Sequence, residues 1–174
     1  MQIGRILVVD DYQPNVTGMR YLLEAAGYKV DTASNGRQAL RAAAAGEHDV
    51  ILLDVVMPEM SGIDVCRELK QRDATRLTPV VLVTANQERD KRLAGLESGA
   101  DDFLSKPIDP DELRARVRSL LRVRRLTDAL ESAETLFEML GRIVEARDPY
   151  TEGHCERLAH YATTLGADLR LGPS

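Results

Sequence analysis

The chain has 174 residues, 23 Lys and Arg against 28 Asp and Glu, a formal net charge of −5 and 44% apolar content, with 4% aromatic residues and no Trp. That length holds one domain plus an appendage, the core falls to Leu, Val, Ile and Ala, and the acidic balance argues against a general nucleic-acid binder. No apolar run approaches the ~18 residues that span a bilayer, the N-terminus lacks the plan of a signal peptide, and Cys66 and Cys155 have no framework spacing, so a reduced, cytoplasmic protein without a membrane partner is expected.

In chain order, short apolar runs alternate with amphipathic stretches. Residues 6–9 form the first expected strand. Pro14 suits the first turn of the helix that follows and Gly27 suits its end. Met19, Leu22, Leu23 and Ala26 recur at helical spacing between them. Strands are then expected at 29–32, 50–53, 80–83 and 103–104. Helices are expected at 36–45, 61–72, 88–98 and from 111 onward. Runs 50–53 and 80–83 are continuously apolar, as strands buried on both faces should be. Five βα units predict an α/β fold, a doubly wound, five-stranded parallel sheet with helices on both faces.

The fifth helix does not stop with the domain. After Pro110 neither Gly nor Pro occurs until Gly141. Leu113, Val117, Leu120, Val123, Leu126, Leu130, Ala133, Phe137, Leu140 and Val144 step along it. From Leu126 the steps alternate four and three, which is a coiled-coil seam. The three steps of three between Val117 and Leu126 would locally overwind a supercoil. Asp148-Pro149 should break the helix, because Pro lacks the N–H and restricts its predecessor. A short amphipathic piece, 152–171, closes the chain. The division expected is a domain at 1–122, a helical stalk at 123–147 and a separate piece at 148–174.

In open α/β sheets the site lies at the carboxyl ends of the strands. Those ends carry Asp10 and Asp11, then Asp54, Thr84 and Lys106. Three carboxylates repel one another unless a cation intervenes. Hard oxygen donors of this kind suit Mg²⁺, and no EF-hand loop favours calcium. A carboxylate beside Mg²⁺, with a Lys and a Thr at hand, is a candidate phosphoryl acceptor. An aspartate-nucleophile phosphatase would also place an acid after strand one, but normally two acids separated by one residue; Asp10 and Asp11 are adjacent.

The segments ILVVDD (6–11), LLDVVMPEMSG (52–62), VVLVTA (80–85), GADDFLSKP (99–107) and DELRARV (111–117) resemble the receiver domain of two-component response regulators across residues 1 to about 122. The resemblance implies a flavodoxin-like strand order, 2-1-3-4-5. It implies Asp54 as phosphoacceptor, with Mg²⁺ on Asp10, Asp11, Asp54 and the backbone carbonyl of Val56. It implies that Thr84 and Lys106 hold the phosphoryl group and that Pro107 follows a cis bond. Phosphorylation would draw Thr84 inward and leave room for the aromatic on strand five, here Phe103. As a Phe it can signal only by burial. Ala85 is small enough for phosphoryl access, and Val56 and Asn86 flank the site. The phosphoryl donor implied is a sensor histidine kinase or a phosphotransfer protein.

Residues 145–171 look like the opening of an HD-GYP domain, a metal-dependent phosphodiesterase of cyclic di-GMP, with His154 matching its first metal-binding His. Neither the HD dyad nor the GYP sequence is present, so this chain is expected to have no hydrolase activity and to be part of a longer regulator. His154 and His160 are six apart and do not share a helix face. His48 is expected to be an ordinary surface residue. Arg114, Arg118, Arg122 and Arg125 form a stripe along the fifth helix; direct DNA binding is not expected from it, because no helix-turn-helix or stacking aromatic accompanies it. A homodimer is expected, through the 126–144 helix, the helix 4–strand 5–helix 5 face, or both. Lys91, Arg92, Glu97, Asp101 and Asp102 would then meet the Arg stripe across a two-fold axis. The remaining alternative is a receiver that works only as a protein-interaction module, its stalk docking a partner.

Overall fold

The computed structural model describes residues 4–45, 48–85 and 89–147 and the positions 157, 160, 161 and 164, with backbone alone for 89–92 and 144–147. Its elements alternate throughout: β1 (Arg5–Val9), α1 (Gln13–Ala25), β2 (Lys29–Ala33), α2 (Gly36–Ala45), β3 (Val50–Asp54), α3 (Gly62–Gln71), β4 (Val80–Thr84), α4 (Arg89–Glu97), β5 (Asp102–Ser105) and α5 (Pro110–Arg147). The five strands form one parallel sheet in the order β2-β1-β3-β4-β5. This is the doubly wound, flavodoxin-like arrangement that the sequence predicts.

The two-residue period of a strand sends alternate side chains to opposite layers. Ile6, Val8, Val50, Leu52, Val81 and Val83 meet Met19 and Leu23 of α1 and Leu113, Val117 and Leu121 of α5. Leu7, Val9, Ile51, Leu53 and Leu82 meet Ala39, Leu40 and Ala43 of α2 and Val65, Cys66 and Leu69 of α3. Every residue of β3 is buried, Asp54 included. That strand is therefore anchored on both faces, and each buried Leu, Ile or Val contributes about 1.5–3 kcal/mol.

Local signals fix the helix starts. The Ser61 Oγ accepts from the Asp64 N–H at 3.2 Å and caps α3. Asp109 Oδ1 accepts from the N–H groups of Asp111 and Glu112 at 2.9 and 2.8 Å and caps α5. Such caps satisfy donors that the helix itself leaves open. Gly27, at φ 88°, ends the turn after α1 in the left-handed region where glycine is unstrained.

The chain divides into two compact units, Met1–Thr127 and Asp128–Ser174. In the second, the described part of α5 leaves Leu130, Leu136, Phe137, Met139, Leu140 and Ile143 exposed. Positions 157, 160, 161 and 164 are helical. Pro149, His154 and Cys155 lie outside the described residues, as does Asn86. Among the described residues no helix is long and apolar enough to cross a membrane.

Candidate functional site

Three acids converge at the carboxyl ends of β1 and β3. Asp10, fully buried, follows β1; Asp11, exposed, is next to it; Asp54, buried, is the last residue of β3. One carboxylate oxygen from each lies within 4.8 Å of the others. Lys106 follows β5 and sends its Nζ to Asp54 Oδ1 at 2.7 Å and to Asp10 Oδ2 at 2.8 Å. Thr84 ends β4 beside Ser105 of β5, and the Lys106 N–H donates to the Thr84 carbonyl at 2.8 Å. The Lys106–Pro107 peptide bond is cis.

Asp10 is held from several directions. Its Oδ1 accepts from the Tyr12 N–H at 2.9 Å, and its Oδ2 accepts from Asn15 Nδ2 at 2.9 Å as well as from Lys106. Asn15 has no place among the sequence-predicted site residues. A first-turn Asn carries no motif, although its partner lies only five residues back across the β1–α1 junction.

Asp54 is fixed by close backbone packing. The Gly62 N–H donates to the Val55 carbonyl at 3.0 Å, which brings the start of α3 onto the end of β3. A Cβ at Gly62 would stand 2.0 Å from the Asp54 carbonyl oxygen. The loop between them carries Glu59 at φ 65°, the one non-glycine with positive φ among the described residues.

The electrostatics follow from burial and from the ammonium. Burial raises the pKa of Asp54, and the hydrogen bond and charge of Lys106 pull it down without cancelling that rise; Asp10 and Asp11 add to it. For Lys106, burial acts to lower the pKa, and the hydrogen bonds to Asp10 and Asp54 outweigh it, so the ammonium is held above its ordinary value. Three carboxylates against one ammonium leave the rim net negative. Oxygen donors with that residual charge fit a small hard cation such as Mg²⁺.

Phe103 lies on β5 opposite Leu82, half-buried on the α2/α3 side of the sheet. Val56 is exposed beside the site.

One expectation needs correction. His48 is not a surface residue: it is buried, with Nε2 2.9 Å from Asp31 Oδ2, and its buried Nδ1 has no hydrogen-bond partner among the described residues. It sits at the amino end of β3, away from the acids. The reason is local: Asp31 of β2, two strands over, draws the imidazole in and also takes Arg5 Nε at 2.6 Å. Asp101 and Asp102 also have ion-pair partners within the chain. Asp101 binds Lys70 Nζ at 2.7 Å, and Asp102 takes Arg116, which also grips Glu112 at 2.7 Å. Arg114 of the expected stripe pairs with Asp111 at 3.1 Å. The side chains of Lys91 and Arg92 lie outside the described residues.

Residues 6–118 match the family model described as the response regulator receiver domain. The response regulator PleD of Caulobacter vibrioides is 51% identical over 143 residues, 82% of this chain and 32% of that protein. The alkaline phosphatase synthesis transcriptional regulatory protein PhoP of Bacillus subtilis is 44% identical over 141 residues, 80% of this chain and 57% of that protein. The chain thus spans about a third of the length of the first and little over half of the second. Among solved structures, the receiver domain of a Pseudomonas aeruginosa sensor histidine kinase, with a magnesium ion coordinated in its active-site cleft, has a TM-score of 0.65 at 31% identity, covering 69% of this chain and 98% of that one.

Proposed function

The chain belongs to the response regulator receiver domain family, and on that premise we propose that Asp54 accepts a phosphoryl group from a sensor histidine kinase or phosphotransfer protein. The observation that carries this is Lys106, whose single ammonium reaches both Asp54 and Asp10 at the strand ends. An Asp54 carboxylate oxygen attacks phosphorus, the donor's phosphorus–nitrogen bond breaks, and the imidazole leaves with its electron pair. Mg²⁺, held by Asp10, Asp11, Asp54 and the Val56 carbonyl, supplies the charge that offsets the phosphoryl oxygens. Lys106 moves its ammonium from the carboxylate to a phosphoryl oxygen, and the Thr84 hydroxyl donates to another. Phe103 then turns into the room that Thr84 leaves, which is the switch.

The state passes along α5. Its exposed row from Leu126 to Leu140 supports pairing with a second copy through 126–144, alone or together with the α4–β5–α5 face. The output is a cyclic di-GMP phosphodiesterase of the HD-GYP kind. Residues 145–171 support this by resemblance, with His154 as a ligand of that domain's metal site. The protein is cytoplasmic, does not bind DNA directly, and divides functionally at 1–122, 123–147 and 148–174. The same exposed row also supports a second reading, in which α5 docks a different protein.

Light scattering tests the relay. With Mg²⁺ and beryllofluoride, a stable phosphoryl mimic, the native chain is expected to have the mass of a dimer, and Asp54→Asn is expected to show no response to the mimic. A monomer under all conditions would contradict pairing with a second copy and leave the docking reading. For the output, a parent chain extending past Ser174 should hydrolyse cyclic di-GMP, whereas the 174 residues alone should not.

A further inference from the structure

Gly95 occupies the seventh position of the nine-residue α4. Glycine is among the poorest helix formers, and Gly95 differs from the helical Gly18 and Gly141, whose missing side chains would meet nothing within 4 Å. The difference is the Phe103 ring. A Cβ at Gly95 would lie 2.7 Å from Phe103 Cε1, 2.8 Å from Cζ and 2.9 Å from Leu82 Cδ1. The ring edge therefore rests against the bare backbone of α4.

Phe103 also faces the same way as the site's hydroxyl. Leu82 and Phe103 belong to the layer beneath α2 and α3, whereas Val81, Val83 and Leu104 belong to the opposite layer. By strand alternation Thr84 and Ser105 point with Leu82 and Phe103. Thr84 is one step further along that face, about 7 Å from Leu82 along the strand.

We propose that Gly95 is the positioning residue of the Phe103 ring: its missing side chain is the seat that sets where the ring lies relative to Thr84 and ties the ring to α4. This rests on the reading of Thr84 and Phe103 as the switch pair. A ring that leaves the seat leaves a gap, and a close-packed interior closes gaps of that size. α4 is the element that closes it, so the surface of α4 changes with the state of Asp54. A side chain at position 95 breaks the link by displacing the ring in advance.

The chain contains two phenylalanines, Phe103 and Phe137, so 4-fluorophenylalanine labelling gives two fluorine resonances. Phe103→Leu assigns them. In the native chain the Phe103 signal should move on titration with Mg²⁺ and beryllofluoride. In Gly95→Ala it should be displaced before the mimic is added, and the mimic's dissociation constant should change by about threefold or more. In a Phe103→Leu background the same Gly95→Ala change should alter that constant by less than about 1.5-fold, since partners that act together are non-additive. Equal effects in both backgrounds, or a Phe103 signal unmoved by Gly95→Ala, would overturn the seat while leaving the switch reading intact. A native Phe103 signal that ignores the mimic would instead remove the switch reading, and the seat with it. Should Gly95→Ala not fold, the variant with Phe103→Leu and Leu82→Ala added must, because these two side chains supply all the contacts closer than 3.0 Å among the three nearest atoms; a variant that folds with Leu82→Ala alone and gains nothing from Phe103→Leu overturns the proposal.

Discussion

Burial raises the pKa of Asp54 despite a lysine ammonium 2.7 Å away. A carboxyl whose folded pKa lies above its unfolded one stabilises the fold only while protonated. That contribution is lost as pH rises through the folded value, so near neutrality the charge costs stability. Asp54→Asn should therefore raise the thermal midpoint of the metal-free protein at pH 7. The gain should shrink as pH falls through the folded pKa of Asp54 towards the ordinary carboxyl value of 3.8. Mg²⁺ should narrow the difference, because it binds the native carboxylates better than the amide variant. Melting curves of both proteins with and without Mg²⁺ check this, and a lower midpoint for metal-free Asp54→Asn would contradict it. Glu59, at φ 65°, is strained for a different reason: its Cβ crowds the backbone in the left-handed region. Glu59→Gly relieves that crowding against the added flexibility of the unfolded chain, and should gain up to about 1 kcal/mol in urea unfolding.

At the scale of elements, the site depends on the end of β3 meeting the start of α3. Gly62→Ala would drive a Cβ to 2.0 Å from the Asp54 carbonyl oxygen. Backbone cannot yield as a flexible side chain does, so urea unfolding should show a loss of more than about 2 kcal/mol, and phosphoryl-mimic binding should weaken. The strands that carry the site were legible because burial on both faces leaves a plain trace. Residues 50–53 and 80–83 are apolar without interruption, and the structure buries each of them. The acids at their ends could be named because a parallel sheet puts every carboxyl end on one rim. Asn15, His48 and Gly95 were not legible. Asn15 meets Asp10 from only five residues away, but across a strand–helix junction that no periodicity marks; His48 depends on a partner further off in sequence and Gly95 on an absent side chain, and neither leaves a periodic signal. His48 meets Asp31 from 17 residues away, and the use of Gly95 appears only once β5 lies beneath α4. The intrachain partners of Asp101 and Asp102, Lys70 and Arg116, left no such signal either.

For the whole molecule, the long helix was readable from its spacing, and α5 runs from Pro110 to Arg147 without a break. Its second half carries large apolar side chains in the open. Leu130 is 71% exposed and Phe137 is 74% exposed. Leu130→Glu with Phe137→Glu should leave the fold and the Asp54 site unchanged and reduce the light-scattering mass to a monomer. A dimer that survives both changes would move the contact to the α4–β5–α5 face. The signalling role depends on Asp54 accepting a phosphoryl group, and that is tested most directly by intact-mass measurement after incubation with acetyl phosphate and Mg²⁺. The native chain should gain one phosphoryl group and lose it on addition of hydroxylamine, as an acyl phosphate does. Chelation of Mg²⁺, or Asp54→Asn, should abolish the gain. Undiminished labelling of Asp54→Asn would place the acceptor elsewhere and contradict the account.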